Sequence, residues 1–483
     1  MGKTQVYGVP ELKSSQKGII LFALALVFFF NNGDTSLLSS AAPTILADIG
    51  GSEVYALLFS VKMLTNAVFM LLSGKLSDKF GRRNVMLVGL CLIFAGYLGG
   101  GFSGTIGVMI AWRAITGIGS GLSFGLGYIV LGDLFQGSSY AKAYMVQVIA
   151  SAVALVGGPI LGGVLVTYLP WHWAFWALVP MTVIAIILLF IFCPNYKIDT
   201  PDRKLDTFGM IFFALAMSLL LFVLSVAGSF FAWTDPLMIG CLVIAAVLFI
   251  IFFAHERKVD IHSAILPVKL FKNRAVGISA IGQLCMTLNS LCLLTYIPYF
   301  MQTAMGESAT VSGYILSLIY IVSTVFGLFI TRSLGKNMKY GFWSRFTVVG
   351  EGIALVLVCT LLSPTISLMM LAALMIVYGL FASVEGTVFI MSSQVSMSPS
   401  MMAVGTSCLT FVQAAASCLG SAVGGTIINS SADFISGMIN VFMFAAIITV
   451  IGAVIVCWKM PGKQYMEEMK QKYIAADNAA ENK

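Results

Sequence analysis

Five charged residues stand inside stretches otherwise built from apolar side chains: Asp34, Lys62, Arg113, Glu351 and Glu385. A charge at bilayer depth costs about 2.5–3.5 kcal/mol even on the lenient insertion scale, so it ordinarily meets a partner or a wet cavity. Three acids and two bases in such places could therefore line a polar path. A carboxylate suits a site occupied in turn by a proton and a substrate, because burial favours its neutral form and a neighbouring cation its charged one. Asp34 with Arg113 offers that balance. Asn31 lies three residues before Asp34, on nearly the same helical face, and could orient a ligand. Glu385 would be a second acid suited to a cationic substrate, and Lys62 would suit an anion. The plain alternative for Asp34 and Arg113 is a static buried ion pair; for Lys62 and Glu351 it is simple packing. An enzyme should show a histidine with Asp or Ser at one membrane face. The three histidines, His172, His255 and His262, are read as loop residues and make no ligand cluster. No catalytic role, metal or cofactor is expected.

The elements that must position these residues follow from composition. Of 483 residues, 59% are hydrophobic and 10% charged, against about 25% charged in an ordinary soluble domain. The solvent of such a chain is lipid. A helix needs about 20 apolar residues to cross the hydrocarbon core. Such runs occur fourteen times, over 18–45, 54–73, 84–101, 105–131, 141–167, 173–193, 207–229, 234–254, 274–300, 308–331, 342–362, 366–391, 403–427 and 435–459. Of the 27 lysines and arginines, all but Lys62 and Arg113 fall in the two tails or in every second loop with its helix edges. The alternate loops hold only acids, among them Asp48, Glu53, Asp235, Glu307 and Asp433. Cytoplasmic loops collect Lys and Arg, so both ends are expected in the cytoplasm of a cell-membrane protein. The net charge of +7 is accounted for by those loops, and no nucleic-acid partner is expected. The nine cysteines lie in or beside apolar runs, which argues against a disulfide framework.

Three motifs narrow the reading. Between the second and third runs stands Gly74-Lys75-Leu76-Ser77-Asp78-Lys79-Phe80-Gly81-Arg82-Arg83, read as a tight turn at the two glycines with Asp78 and Arg82 free to pair. The fourth run carries Arg113-Ala114-Ile115-Thr116-Gly117-Ile118-Gly119, and the fifth Gly157-Gly158-Pro159-Ile160-Leu161-Gly162-Gly163. Small residues let helices approach closely, and a proline frees a carbonyl and allows a bend. In the first run Asp34 precedes Pro43 by nine residues.

Together these segments resemble the major facilitator superfamily, and within it the fourteen-span drug:proton antiporters. The first segment is similar to that superfamily's cytoplasmic signature. The second matches its intramembrane arginine motif, with Thr116 where glutamine is usual. The third is similar to its antiporter motif, here Gly158, Pro159, Gly162 and Gly163. The resemblance implies an all-α membrane protein of two pseudo-symmetric six-helix bundles, 1–193 and 273–459. An inserted helix pair would lie within 194–272 and a cytoplasmic tail would span 460–483. It also implies a gate in which Asp78 and Arg82, with Gly74, Gly81 and Arg83, relay to Asp133. Function is then expected to be export of small amphipathic compounds in exchange for protons by a monomer; uptake or exchange of an organic anion is the alternative. The orientation is directly testable in a background lacking native cysteines. Glu307→Cys and Asp433→Cys should react with an impermeant maleimide on intact cells, and Lys79→Cys only after lysis; the reverse pattern would invert the chain.

Overall fold

Helices account for nearly everything the computed structural model describes, which is residues 12–135, 138–196, 206–226, 231–259, 268–337, 339–383, 385–397 and 399–481. The side chains of Asp78 and Glu385, two expected site residues, lie outside that description, as does His262. Thirteen helices among the described residues are long and apolar enough to cross a membrane, and Leu368–Ala382 is a shorter apolar one. With the helix that follows it, this shorter one makes the fourteenth span. The protein is an all-α, multi-pass membrane protein.

The chain divides into two compact units: Met1–Leu205 with Met301–Ser317, and Asp206–Phe300 with Leu318–Lys483. The first unit contains α1 (Ser14–Ile49), α2 (Leu57–Phe80), α3 (Arg82–Gly101), α4 (Ile106–Leu134), α5 (Ser138–Tyr168), the short α6 (Trp173–Trp176) and α7 (Val179–Phe192). Within it α4 packs on α2 and α3, while α1 packs on α5 and α7. The second unit begins with the pair α8 (Thr207–Val226) and α9 (Pro236–Glu256), and most of α10 (Arg274–Thr303) and α11 (Ala309–Asn337) belongs to it. It continues through α12 (Tyr340–Leu361), α13 (Leu368–Ala382), α14 (Glu385–Val395), α15 (Pro399–Asn429), α16 (Phe434–Lys459) and the terminal α17 (Lys463–Glu481). Here α12 packs on α16, α8 on α9, and the α8–α9 pair leans on α15 through Phe213 and Phe411, whose ring centres are 4.6 Å apart.

The sequence dictates an inside-out arrangement. Ile250, Phe190 and Val454 are well over half exposed on helix surfaces, where lipid is their solvent. Lys62, Arg113, Asp34, Glu351 and many serines are buried instead. Several of the acids in loops without basic residues serve as helix caps: Asp235 accepts from the backbone of Leu237 and Asp433 from that of Ser436, both at 2.8 Å. A carboxylate suits an N-terminus because it satisfies free N–H groups and faces the positive end of the helix dipole. These bonds hold the exposed Asp433 carboxyl below the usual range.

Three expectations need correction. Gly74 takes no turn: α2 continues through it to Phe80, and only Gly81, at φ +93°, makes the corner. A lone glycine is tolerated within a helix when its neighbours are strong formers, and the Gly74 carbonyl is used there as an acceptor for Arg82. The run 366–391 is two helices, α13 and α14, parted after Ala382. An acid, Glu385, opens the second, which suits a helix start. His255 is no loop residue; it lies in the last turn of α9, where its ring nitrogen meets Asp206 at 2.7 Å.

Close approach of α2 to α4 rests on glycine. A Cβ at Gly117 would collide with the Lys62 backbone and the Thr65 hydroxyl, and one at Gly121 with the Asn66 carbonyl. Gly117→Val should therefore destabilise the purified protein by about 1–3 kcal/mol, the usual cost of overpacking. Gly240→Ala, where nothing lies within 4 Å, should not lower the unfolding temperature. Equal unfolding temperatures for Gly117→Val and wild type would remove this contact from the account.

Candidate functional site

The glycine-lined contact of α2 with α4 brings two cations to one carboxylate on α1. Arg113 Nη1 donates to both Asp34 oxygens, at 2.7 and 2.9 Å. Lys62 Nζ lies 2.8 Å from Asp34 Oδ2. The three side chains are no more than 3% exposed. Each base is also held by neutral oxygens. Arg113 Nε donates to the Leu58 carbonyl at 3.0 Å, and Lys62 Nζ donates to Thr35 Oγ1 at 3.0 Å and the Asn31 carbonyl at 3.3 Å. Asn31 thus meets the cluster through its backbone, while its side-chain amide donates to the Val27 carbonyl at 2.9 Å. Arg113 Nη2 and Asn31 Oδ1 are buried with no hydrogen-bond partner among the described residues. With all three groups ionised the cluster carries one net positive charge. The Asp34–Arg113 pair follows the sequence reading; that Lys62 shares the same carboxylate was left open by it.

At the end of the helices that bears the basic signature, a second cluster forms. Arg82 Nε donates to Asp133 Oδ2 at 3.3 Å. Its Nη1 reaches the Gly74 carbonyl at 3.3 Å and also the Ser77 hydroxyl. Arg83 lies beside it with its guanidinium over the Phe190 ring. The signature motif therefore folds back on itself, with the guanidinium of Arg82 tying α2, α3 and α4 together. Two residues missed by sequence reasoning complete it. Tyr196 donates its hydroxyl to Asp133 at 3.1 Å, and its carbonyl accepts from the Arg82 backbone at 3.0 Å. Asn195 fills the space that a side chain at Gly81 would need. Burial and the adjoining Asp133 carboxylate push the Tyr196 phenol above its ordinary range, so it remains a donor. The only sequence signal was a polar–aromatic pair directly after the sixth apolar run.

The glycine-proline segment of α5 receives α1. Side chains at Gly158 and Gly162 would strike Ser36 and the Leu37 carbonyl, and one at Gly163 the Ala309 carbonyl. Serine hydroxyls reach the carbonyls around Pro159: Ser36 to Ala154 at 3.2 Å, Ser40 to Pro159 at 2.8 Å and Ser317 to Val156 at 2.8 Å. In the second unit Glu351 is fully buried and its Oε2 accepts from Asn289 at 3.0 Å. Asn289 also donates to Thr449 at 3.0 Å and accepts from Tyr378 at 2.5 Å. Glu351 therefore belongs to a different unit from the Asp34 cluster.

A fourteen-span helical protein with charges sequestered in its interior is of the polytopic transporter class. The model of the Major Facilitator Superfamily matches residues 24–421, and the chain belongs to that family. It is a transporter and not an enzyme. It is 27% identical over 423 residues to the multidrug transporter protein MdtP of Bacillus subtilis, an alignment covering 87% of this chain and 77% of that one. Multidrug resistance protein 3 of the same organism is 27% identical over 437 residues, covering 88% of this chain and 83% of its own. Among solved structures, a peptide transporter named POT superposes with a TM-score of 0.70 at 14% identity, covering 97% of this chain and 99% of that one. A bacterial homolog of the human lysosomal transporter Spinster, inward-facing and unoccupied, gives 0.66 at 12% identity, covering 95% and 99%. At these identities the superpositions bear on fold alone.

The Tyr196 contact makes its own prediction. Tyr196→Phe removes one hydrogen bond to a carboxylate and should cost about 1–2 kcal/mol, read as a lowered unfolding temperature. Tyr168→Phe, at a residue 75% exposed, serves as the control. An unchanged transition for Tyr196→Phe would mean its hydroxyl does not hold Asp133.

Proposed function

We propose that this transporter exports small amphipathic organic compounds in exchange for protons, with the Lys62–Asp34–Arg113 cluster as its coupling site. The carrying observation is one buried carboxylate shared by two cations from neighbouring helices. A buried carboxylate that loses its charge, or a buried cation that loses its partner, changes the energy of the packing around it by several kcal/mol. Proton movement in the cluster is thereby tied to helix arrangement. The multidrug names of the relatives support the substrate class. In this reading both ends of the chain are cytoplasmic, the protein works in the cell membrane as a monomer, and Glu385 contributes to cation selection. The Asp78, Arg82 and Asp133 group latches the cytoplasmic ends of the helices, and transport proceeds by alternating access.

A second reading, exchange of an organic anion, draws on the positive balance of the cluster and on the unspent Arg113 Nη2. Charge at 4 Å is worth about 4 kcal/mol at an effective dielectric near 20, enough to set the sign of a substrate in direct contact. Glu385→Gln should weaken export of a cation and spare neutral compounds if the first reading holds. Lys62→Gln should abolish transport of an anion alone if the second does.

Everted vesicles given an acid interior test the main reading, with ethidium as probe. Wild type should accumulate the dye. Asp34→Asn should lose at least about tenfold of the gradient-driven rate per molecule of protein, the factor worth about 1.4 kcal/mol. Wild-type rates in Asp34→Asn would sink the assignment.

A further inference from the structure

We propose that Lys62, rather than Asp34, releases and recaptures the coupling proton, with Asp34 charged throughout the cycle. This rests on the reading of the cluster as the coupling site and names the atom within it that changes. As seen here, the Lys62 ammonium has an acceptor for each of its three hydrogens: Asp34 Oδ2, Thr35 Oγ1 and the Asn31 carbonyl. That is the arrangement of a charged lysine. Charge counting decides what can change next. Adding a proton to Asp34 would leave two buried cations with a net charge of two and strip both of their counter-ion at once. Removing a proton from Lys62 leaves the two-bonded Asp34–Arg113 pair intact and the cluster neutral. Low-dielectric surroundings penalise net charge and favour a paired, neutral arrangement, so the second route is the open one. Arg113 cannot take the role, since a guanidinium does not deprotonate in proteins.

The chemistry balances simply. The N–H bond of the ammonium breaks, nitrogen keeps the electron pair, and the proton passes to water on the side to which the site is open. The resulting amine has a lone pair, and the Thr35 hydroxyl, now an acceptor, can turn and donate to it. The groups facing Lys62 from its neighbours are few. From α1 come Asp34, Thr35 and Asn31, and from α4 comes Arg113. On α3, Tyr97 lies within the field of Asp34 and Arg113, and its hydroxyl donates to the Phe30 carbonyl at 3.3 Å. The Lys62 backbone is pressed against Gly117, so the helix that carries the amine packs directly on the helix that carries Arg113. Loss of the proton removes one of the three contacts by which Lys62 joins α2 to α1, which is how a protonation change would reach the helices.

The test needs no substrate, only protons. Wild type, Lys62→Arg and Lys62→Gln in lipid nanodiscs are titrated from acid to alkaline pH, and the protons released per molecule are counted. Both variants should release one proton fewer than wild type, because arginine stays charged and glutamine never is. Equal counts would overturn the proposal. Infrared difference spectra over the same range provide a second measurement that does not depend on Lys62 variants folding. No protonated-carboxyl band that disappears in Asp34→Asn should arise in wild type; such a band would assign the proton to Asp34 and overturn the proposal. A failure of ethidium transport would sink the efflux reading and leave the proton count as it stands.

Discussion

Hydrocarbon offers no hydrogen bonds, and the interior of these helices is organised around that fact. The backbone polar groups of a span must find their partners within the protein, and buried side chains gain by doing the same. Serine and threonine hydroxyls do so cheaply by turning back onto their own helix, as Ser60 does onto Ala56 and Ser344 onto Tyr340. Charges cannot, and they gather. One carboxylate on α1 answers a lysine from α2 and an arginine from α4, and these two bases take their remaining bonds from backbone carbonyls and one hydroxyl. The glycines of α4 exist for the same reason, since helices holding short, buried charge contacts must lie close. Fold and site here are one constraint seen twice.

How much of this could be read beforehand depended on whether the signal was local. Fourteen apolar runs and the alternation of basic and acidic loops are one-dimensional patterns, and the helices follow them. Asp34 and Arg113 were visible because a lone charge in an apolar run has few explanations. The orientation of Lys62 was not. Helices apolar on every side carry no periodic stripe to say which face is inward, and the answer lay in Gly117 on another helix. The same lack of a stripe hid the network around Glu351, in which Asn289 of α10 also meets Tyr378 of α13 and Thr449 of α16. Tyr196 and Asn195 escaped because they act through loop geometry around Gly81. The α13–α14 break escaped because no proline marks it and the apolar run reads straight across; the misread turn at Gly74 is the converse, a glycine that the helix simply carries.

The pair α8 and α9 shows how a helix hairpin is held to its unit. Its surfaces are largely apolar and exposed, yet its ends are tied by polar contacts. Asp206 accepts from the Gly209 backbone at 2.9 Å and meets His255 across the pair, while Thr426 on α15 donates to the Leu224 carbonyl. Such a pair is anchored at its tips and greasy along its length.

The serines around Pro159 share a further property. Ser36, Ser40 and Ser317 each lie within reach of a carbonyl on α5 and of at least one on their own helix, the nearest of the latter being Gly33, Leu37 and Gly313 at 2.9–3.2 Å. Each hydroxyl therefore holds an acceptor on its own helix besides the one on α5, and none depends on the seam alone for a partner in lipid. The seam is specific in what it joins, yet no polar group is hostage to it.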